Sequence, residues 1–144
     1  MILEAEDTRS TPPKELPSER FTSLIELNRI EYLINSSRTY LTSTLDKLKA
    51  EGLQIFGFGA SHSTGILVHT LGLANYIDFL VDHNTDKHGC YMPGTRLQVV
   101  DTQKIFNSSS TKVAIILAWQ YYDQIRDYLL DNGFSGTIIK PILP

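Results

Sequence analysis

Leu53-Gln54-Ile55-Phe56-Gly57-Phe58-Gly59-Ala60-Ser61-His62 is the stretch that decides the fold class. A short apolar run read with the turn at Gly59 is a buried strand. From Thr64 to Leu73 the spacing becomes helical, with Ile66, Leu67, Thr70, Leu71 and Leu73 available for a buried face. The same alternation recurs downstream. Ile77 to Asp82 reads as a second strand, Asp82 to Thr95 as an irregular loop, and Leu97 to Val100 as a third, shorter strand. Lys112 to Ala118 is the most apolar run and is expected at the centre of a sheet, buried on both faces. Tyr122 to Asp131 is expected to be a helix with Ile125, Tyr128 and Leu129 inward and Asn132-Gly133 as its stop, and Thr137 to Ile139 is the last strand. The alternation predicts an α/β fold: a small Rossmann-like, mostly parallel sheet of about five strands with flanking helices.

Upstream, Phe21, Leu24, Leu27, Ile30, Ile34, Leu41, Leu45 and Leu48 recur at steps of three, four or seven, one stripe on a long N-terminal helix. Leu27, Ile34, Leu41 and Leu48 keep a seven-residue repeat, which Asn35-Ser36-Ser37 interrupts with poor helix formers. A single helix packed on the following domain is favoured over a dimer seam. Gly52 is its expected C-terminal cap. Before it, Pro12, Pro13 and Pro17 forbid a continuous helix among polar residues. The expected organisation is therefore a flexible tether over 1–18, a helix over 19–50 packed on the domain, and a Rossmann-like domain over 51–144.

Composition narrows the classes of function. The 144 residues are 42% hydrophobic and 20% charged, as in a soluble globular protein, and the length allows one domain with a core. A formal net charge of −3 gives no drive toward nucleic acid or an anionic membrane. Cys90 is the one cysteine, which excludes an intramolecular disulfide and a multi-cysteine zinc site. No apolar run approaches the roughly 20 residues of a membrane span, and Met1 to Lys14 is unlike a signal peptide. A cytoplasmic setting is the default.

In an open parallel sheet, ligands bind outside the carboxyl ends of the strands, where strand order reverses. Three segments fall on that edge. At Gly59, Ala60, Ser61 and His62 the turn permits close backbone approach, and the following helix N-terminus offers N–H groups to an anion. A dinucleotide fingerprint would want a third glycine where His62 stands. The second segment, Asp82 to Gly89, puts an acid 25 residues after Gly57, where dinucleotide folds hold a ribose hydroxyl. Asn84 and Lys87 are its further polar candidates. His83, His88 and Cys90 superficially resemble metal ligands but lack a paired motif, so no metal is assigned. The third segment, Ala118-Trp119-Gln120-Tyr121-Tyr122, supplies aromatic rings for stacking on a base or sugar, or equally for helix packing. No Gly-x-Ser-x-Gly, Gly-Lys-Ser or His-Glu-x-x-His motif occurs.

Together these segments resemble the C-terminal domain of the SAM-dependent sugar C-methyltransferases, which methylate a carbon of a nucleotide-linked deoxysugar. The matching stretches are Gly57-Phe58-Gly59-Ala60-Ser61, Gly72-Leu73, Asp78-Phe79, Ile116-Leu117-Ala118-Trp119 and Gly136 to Pro144, with the helix ending Leu48 to Gly52. The most specific is Val81 to Thr95, which keeps nine positions of the family's Val-Asp-x-Asn-Pro-x-Lys-Gln-Gly-x-Tyr-x-Pro-Gly-Thr. Ser63-Thr64 replaces a common Lys-Gly pair, Thr85 a Pro, His88 a Gln and Gln120 an Asn. The resemblance implies a partner methyltransferase domain that binds S-adenosylmethionine and holds the catalytic base, with the nucleotide-sugar near the junction. This chain contains neither that domain nor the family's cysteine-rich zinc segment. It is expected to be an excised part or a free-standing relative, without a catalytic residue or bound cofactor, and not a methyltransferase alone. The implied substrate contacts are Gly59, Ala60, Ser61 and His62 for an anionic group, Asp82 or Asn84 for a hydroxyl, Trp119 or Tyr121 for stacking, and Lys87 for charge.

Two other classes compete. The glycine turn with Asp82 also suits an NAD(P)-binding module. A structural domain without ligand would instead dimerise through the helix at 20–49, and Ile34→Asp or Leu41→Asp would then dissolve the dimer.

Overall fold

The structure, a computed structural model, describes residues 19–107 and 111–142, with side chains from Ser23 onward. The expected tether, the Phe21 side chain, the serines at 108–110 and the last two residues lie outside the described residues. The described elements are α1 (Glu19–Ala50), β1 (Gln54–Phe58), α2 (His62–Thr70), β2 (Phe79–Val81), β3 (Val99–Val100), α3 (Gln103–Phe106), β4 (Lys112–Ile116), α4 (Tyr122–Asp131) and β5 (Thr137–Ile139). The five strands form one sheet in the order β3-β2-β1-β4-β5, all parallel. Gly57 pairs with Leu80 on one side and Ile115 on the other, which fixes β1 at the centre.

Period-two alternation sorts the sheet residues between two cores. Ile55, Leu80, Val113 and Ile115 face one cluster with Leu41, Leu45, Val68 and Leu71 of α1 and the α2 region. Phe56, Phe58, Ala114 and Ile116 face the other, with Ile105 of α3 and Ile125 and Leu129 of α4. All of β4 is buried, as its apolar run demands of a strand covered on both faces. Even Lys112 is only 2% exposed. Its Nζ donates to the carbonyls of Lys104 (3.0 Å) and Ile105 (3.2 Å), satisfying the end of α3.

The bounds of α4 and β5 coincide with those read from sequence, and α2 starts at His62, two residues earlier than expected. Strands β1, β2, β3 and β4 are shorter than their apolar runs because the runs continue into turns beyond the ladder. Ile77 is buried without being in β2, and Leu117 leaves β4 while still donating to the Phe58 carbonyl at 2.9 Å.

Helix α1 corrects the expected stripe. Asn35-Ser36-Ser37 does not interrupt the helix, which runs unbroken through them with Ser37 buried against the domain. Leu41 and Leu45 are fully buried, but Leu24, Leu27 and Ile30 are each more than half exposed. Only the C-terminal half of the helix therefore lies on the sheet. Gly52, at φ +77°, closes it by donating to the Lys49 carbonyl at 2.9 Å. No described helix is long and apolar enough to cross a membrane.

Candidate functional site

Parallel strands bring their carboxyl ends to one edge, and β1 lies between the strands that the chain reaches first and those it reaches last. The order reverses between β1 and β4. Gly59 follows β1 there with φ +102°, and a Cβ on it would stand 2.6 Å from the Cβ of Ala118. A side chain is excluded both by the backbone angle and by the strand-end contact. A cleft of about 400 Å³ opens at this point, lined by Phe58, Gly59, Ala60, Ser61, Asp82, His83, Ala118, Tyr121, Gln124 and Ile125. It is within the size range of small-molecule sites. The three sequence segments thus meet at one rim.

Asp82 ties the first segment to the second. Its Oδ2 accepts from Ala60 N at 2.7 Å and Lys87 Nζ at 3.1 Å, and its Oδ1 accepts from Asn84 N at 2.8 Å. The side chain is 15% exposed. Burial alone would push its carboxyl upward, but the two backbone donors and the Lys87 ammonium outweigh this and hold it below the ordinary Asp value. A carboxylate has about four acceptor positions, so Oδ1 keeps capacity for one further donor such as a ligand hydroxyl. His88 donates Nε2–H to the Asp82 carbonyl at 2.8 Å. Asn84 caps the short turn Thr85–Lys87 by accepting from Asp86 N at 3.0 Å.

The backbone donors expected to meet an anion are engaged within the protein. Gly59 N donates to the Val81 carbonyl at 2.8 Å, Ala60 N to Asp82, and Ser61 N to the Thr64 hydroxyl at 3.1 Å. Thr64, fully buried, passes its own proton to the Gly59 carbonyl at 2.9 Å. The turn is thus a closed hydrogen-bonded unit. The first-turn amides of α2, at His62 and Ser63, are the remaining backbone donors of this end.

The two aromatic candidates separate. Trp119 and Tyr121 occupy a 3₁₀ turn, in which residues two apart project about 240° from one another. Tyr121, 59% exposed, borders the cleft; Trp119, 43% exposed, turns away from it and lines a separate hollow with Ile30, Ile34 and Ile66. His62 and Lys87 line an adjoining hollow of about 330 Å³ with Ser61, Cys90 and Tyr91.

Sequence reading missed His83 as a site residue. Its ring sits 4.6 Å from that of Tyr128 and 5.3 Å from that of Phe58, both edge-on, and the imidazole and Phe58 line the cleft. Its place directly after Asp82 at a strand end was the available signal. Among the described residues, no three His, Cys, Asp or Glu side chains cluster to hold a metal ion.

A family model described as the C-methyltransferase C-terminal domain matches residues 18–142. No curated protein matches the chain.

Proposed function

The chain belongs to the C-methyltransferase C-terminal domain family, and from that premise we propose that its rim positions a nucleotide-linked sugar for a partner methyltransferase domain in a cytoplasmic setting. Membership of a C-terminal domain family implies a separate catalytic domain. The observation that carries the reading is the convergence of Gly59–Ser61, Asp82–His83 and Tyr121 on one cleft at the switch point. Tyr121 and His83 offer ring faces and edges to a base, the spare Oδ1 position of Asp82 takes a sugar hydroxyl, and Lys87 with the His62 and Ser63 amides balances phosphate charge.

S-Adenosylmethionine is not assigned to this rim, where the amides of the glycine turn are engaged within the protein. The cofactor belongs to the partner domain, and this chain alone does not transfer methyl groups. Its contribution is to hold the substrate's nucleotide end and exclude water beside it.

Thermal unfolding with dTDP-glucose, UDP-glucose and NAD tests the proposal. A sugar nucleotide at about 100 times its Kd stabilises the fold by about 2.7 kcal/mol. Stabilisation by either sugar nucleotide and not by NAD supports the reading. Stabilisation by NAD alone replaces it with a dinucleotide module, and a response to none of the three leaves a structural domain.

A further inference from the structure

Gly65 is a glycine that the fold itself does not require. It lies inside α2, where glycine is the least favoured residue after proline. Its φ is not positive, and a Cβ on it would meet nothing within 4 Å beyond its own helix. The missing side chain borders a hollow of about 550 Å³ between α2 and the Met92-Pro93 turn. Ile66, Met92 and Pro93 give this hollow an apolar flank, and His62, His69 and Thr70 bring polar groups to it. Positions 62, 65, 66 and 69 stand three, four and seven residues apart, on one face of the helix. Among the described residues, neither imidazole nor the Thr70 hydroxyl has a hydrogen-bond partner. The hollow is also continuous with the rim already described. The cleft at the switch point shares Ala60 and Ser61 with the Lys87 hollow, which in turn shares Ser61, His62, Met92 and Pro93 with this one.

We propose that this hollow holds the sugar end of the nucleotide-linked sugar whose base occupies the cleft, and that Gly65 keeps it open. The inference rests on the reading of the rim under Proposed function and adds a direction to it. The three spaces follow one another in the order of the ligand's own parts. Tyr121 and His83 offer rings to the base in the cleft. Lys87 stands next, its ammonium giving one proton to Asp82 at 3.1 Å and keeping two for the diphosphate. The hollow beyond matches a sugar ring, whose hydroxyls lie at its edge and whose C–H groups lie on its faces. Imidazoles and a threonine hydroxyl can each donate and accept, as sugar hydroxyls do, while Ile66, Met92 and Pro93 cover the C–H face. A glycine at the wall lets the ligand approach the helix backbone closely. The reverse order would place the base away from both Tyr121 and His83.

Calorimetric titration of the full chain with UDP, UDP-glucose, dTDP and dTDP-glucose is the test. For the base that is accepted, the sugar nucleotide binds the wild type about tenfold more tightly than its parent diphosphate. Gly65→Leu fills the hollow from a position with open space around it and puts a good helix former in place of a poor one, so the unfolding midpoint does not fall. It brings the sugar nucleotide to within about twofold of the diphosphate and leaves the diphosphate's own affinity within about twofold of wild type. His69→Ala, which adds no bulk, weakens the sugar nucleotide about 3- to 10-fold and leaves the diphosphate unchanged. Equal binding of sugar nucleotide and diphosphate by the wild type overturns the proposal and leaves the nucleotide cleft standing. A sugar-nucleotide advantage that survives both variants overturns it too. So does a loss of diphosphate affinity in Gly65→Leu, which would put base or phosphate in the hollow. If none of these ligands binds, the reading of the rim fails and takes the proposal with it.

Discussion

Asp82 shows how one residue joins structure and site. Its three donors come from the turn after β1, from its own loop and from Lys87, so it fastens the ends of two strands. Asp82→Asn replaces one acceptor oxygen with an NH2 that faces a donor, and should cost about 1–3 kcal/mol in urea unfolding at pH 7. The pH dependence follows from the sign of the shift. Because the folded carboxyl is held below its ordinary value of 3.8, its stabilisation is complete above that value. It is lost as pH falls through the lower folded value, where the folded state also takes up the proton. The difference between wild type and Asp82→Asn should therefore be constant from about pH 5 upward and shrink toward pH 2; a difference that grows in acid contradicts the assignment. The acid's place was legible from its position at a strand end. Its partners were not, because the Ala60 and Lys87 bonds exist only once β1 and β2 lie side by side. The same non-locality hid His83, whose ring packs edge-on against Tyr128 from α4.

Among the elements, α1 separates what a pattern reveals from what it does not. The seven-residue repeat gave the helix and its face, but a repeat carries no information on where the supporting sheet stops. Leu41 is 0% exposed and Ile34 packs against the same core, so Asp at either position strikes the fold before any interface. Leu41→Ala should cost about 2–5 kcal/mol by denaturant unfolding, the range for an emptied buried leucine site; a loss under about 0.5 kcal/mol, as at surface positions, would mean that the helix does not rest on the sheet. Lys112 makes a second case. Lys112→Met keeps the apolar stem but leaves the Lys104 and Ile105 carbonyls without their donor, and about 1–3 kcal/mol should be lost. Helix α3, which those carbonyls end, was not read from sequence because its four residues are too few to show a period. By contrast α4 was fully legible, with apolar residues at helical spacing and Asn132-Gly133 as a stop.

At the scale of the whole molecule, one turn after β4 sends its two rings to different surfaces. Residues 119 and 121 leave β4 together, yet the 3₁₀ geometry sends the indole to the apolar groove by α1 and the phenol to the cleft at the strand ends. Sequence spacing placed both rings at the correct edge and could not divide them, since the division depends on the turn's handed projection. The division is testable because the two rings predict different losses. Tyr121→Ala removes an exposed ring, so the fold's unfolding midpoint should stay within about 0.5 kcal/mol of wild type. Sugar-nucleotide affinity by calorimetry should nevertheless fall about 5- to 30-fold, the worth of about 1–2 kcal/mol of ring contact. Trp119→Ala should leave that affinity within about twofold, because ring and cleft share no partner. If the indole rather than the phenol governs nucleotide binding, the substrate lies on the α1 side of the turn. The cleft at the switch point then loses its assignment.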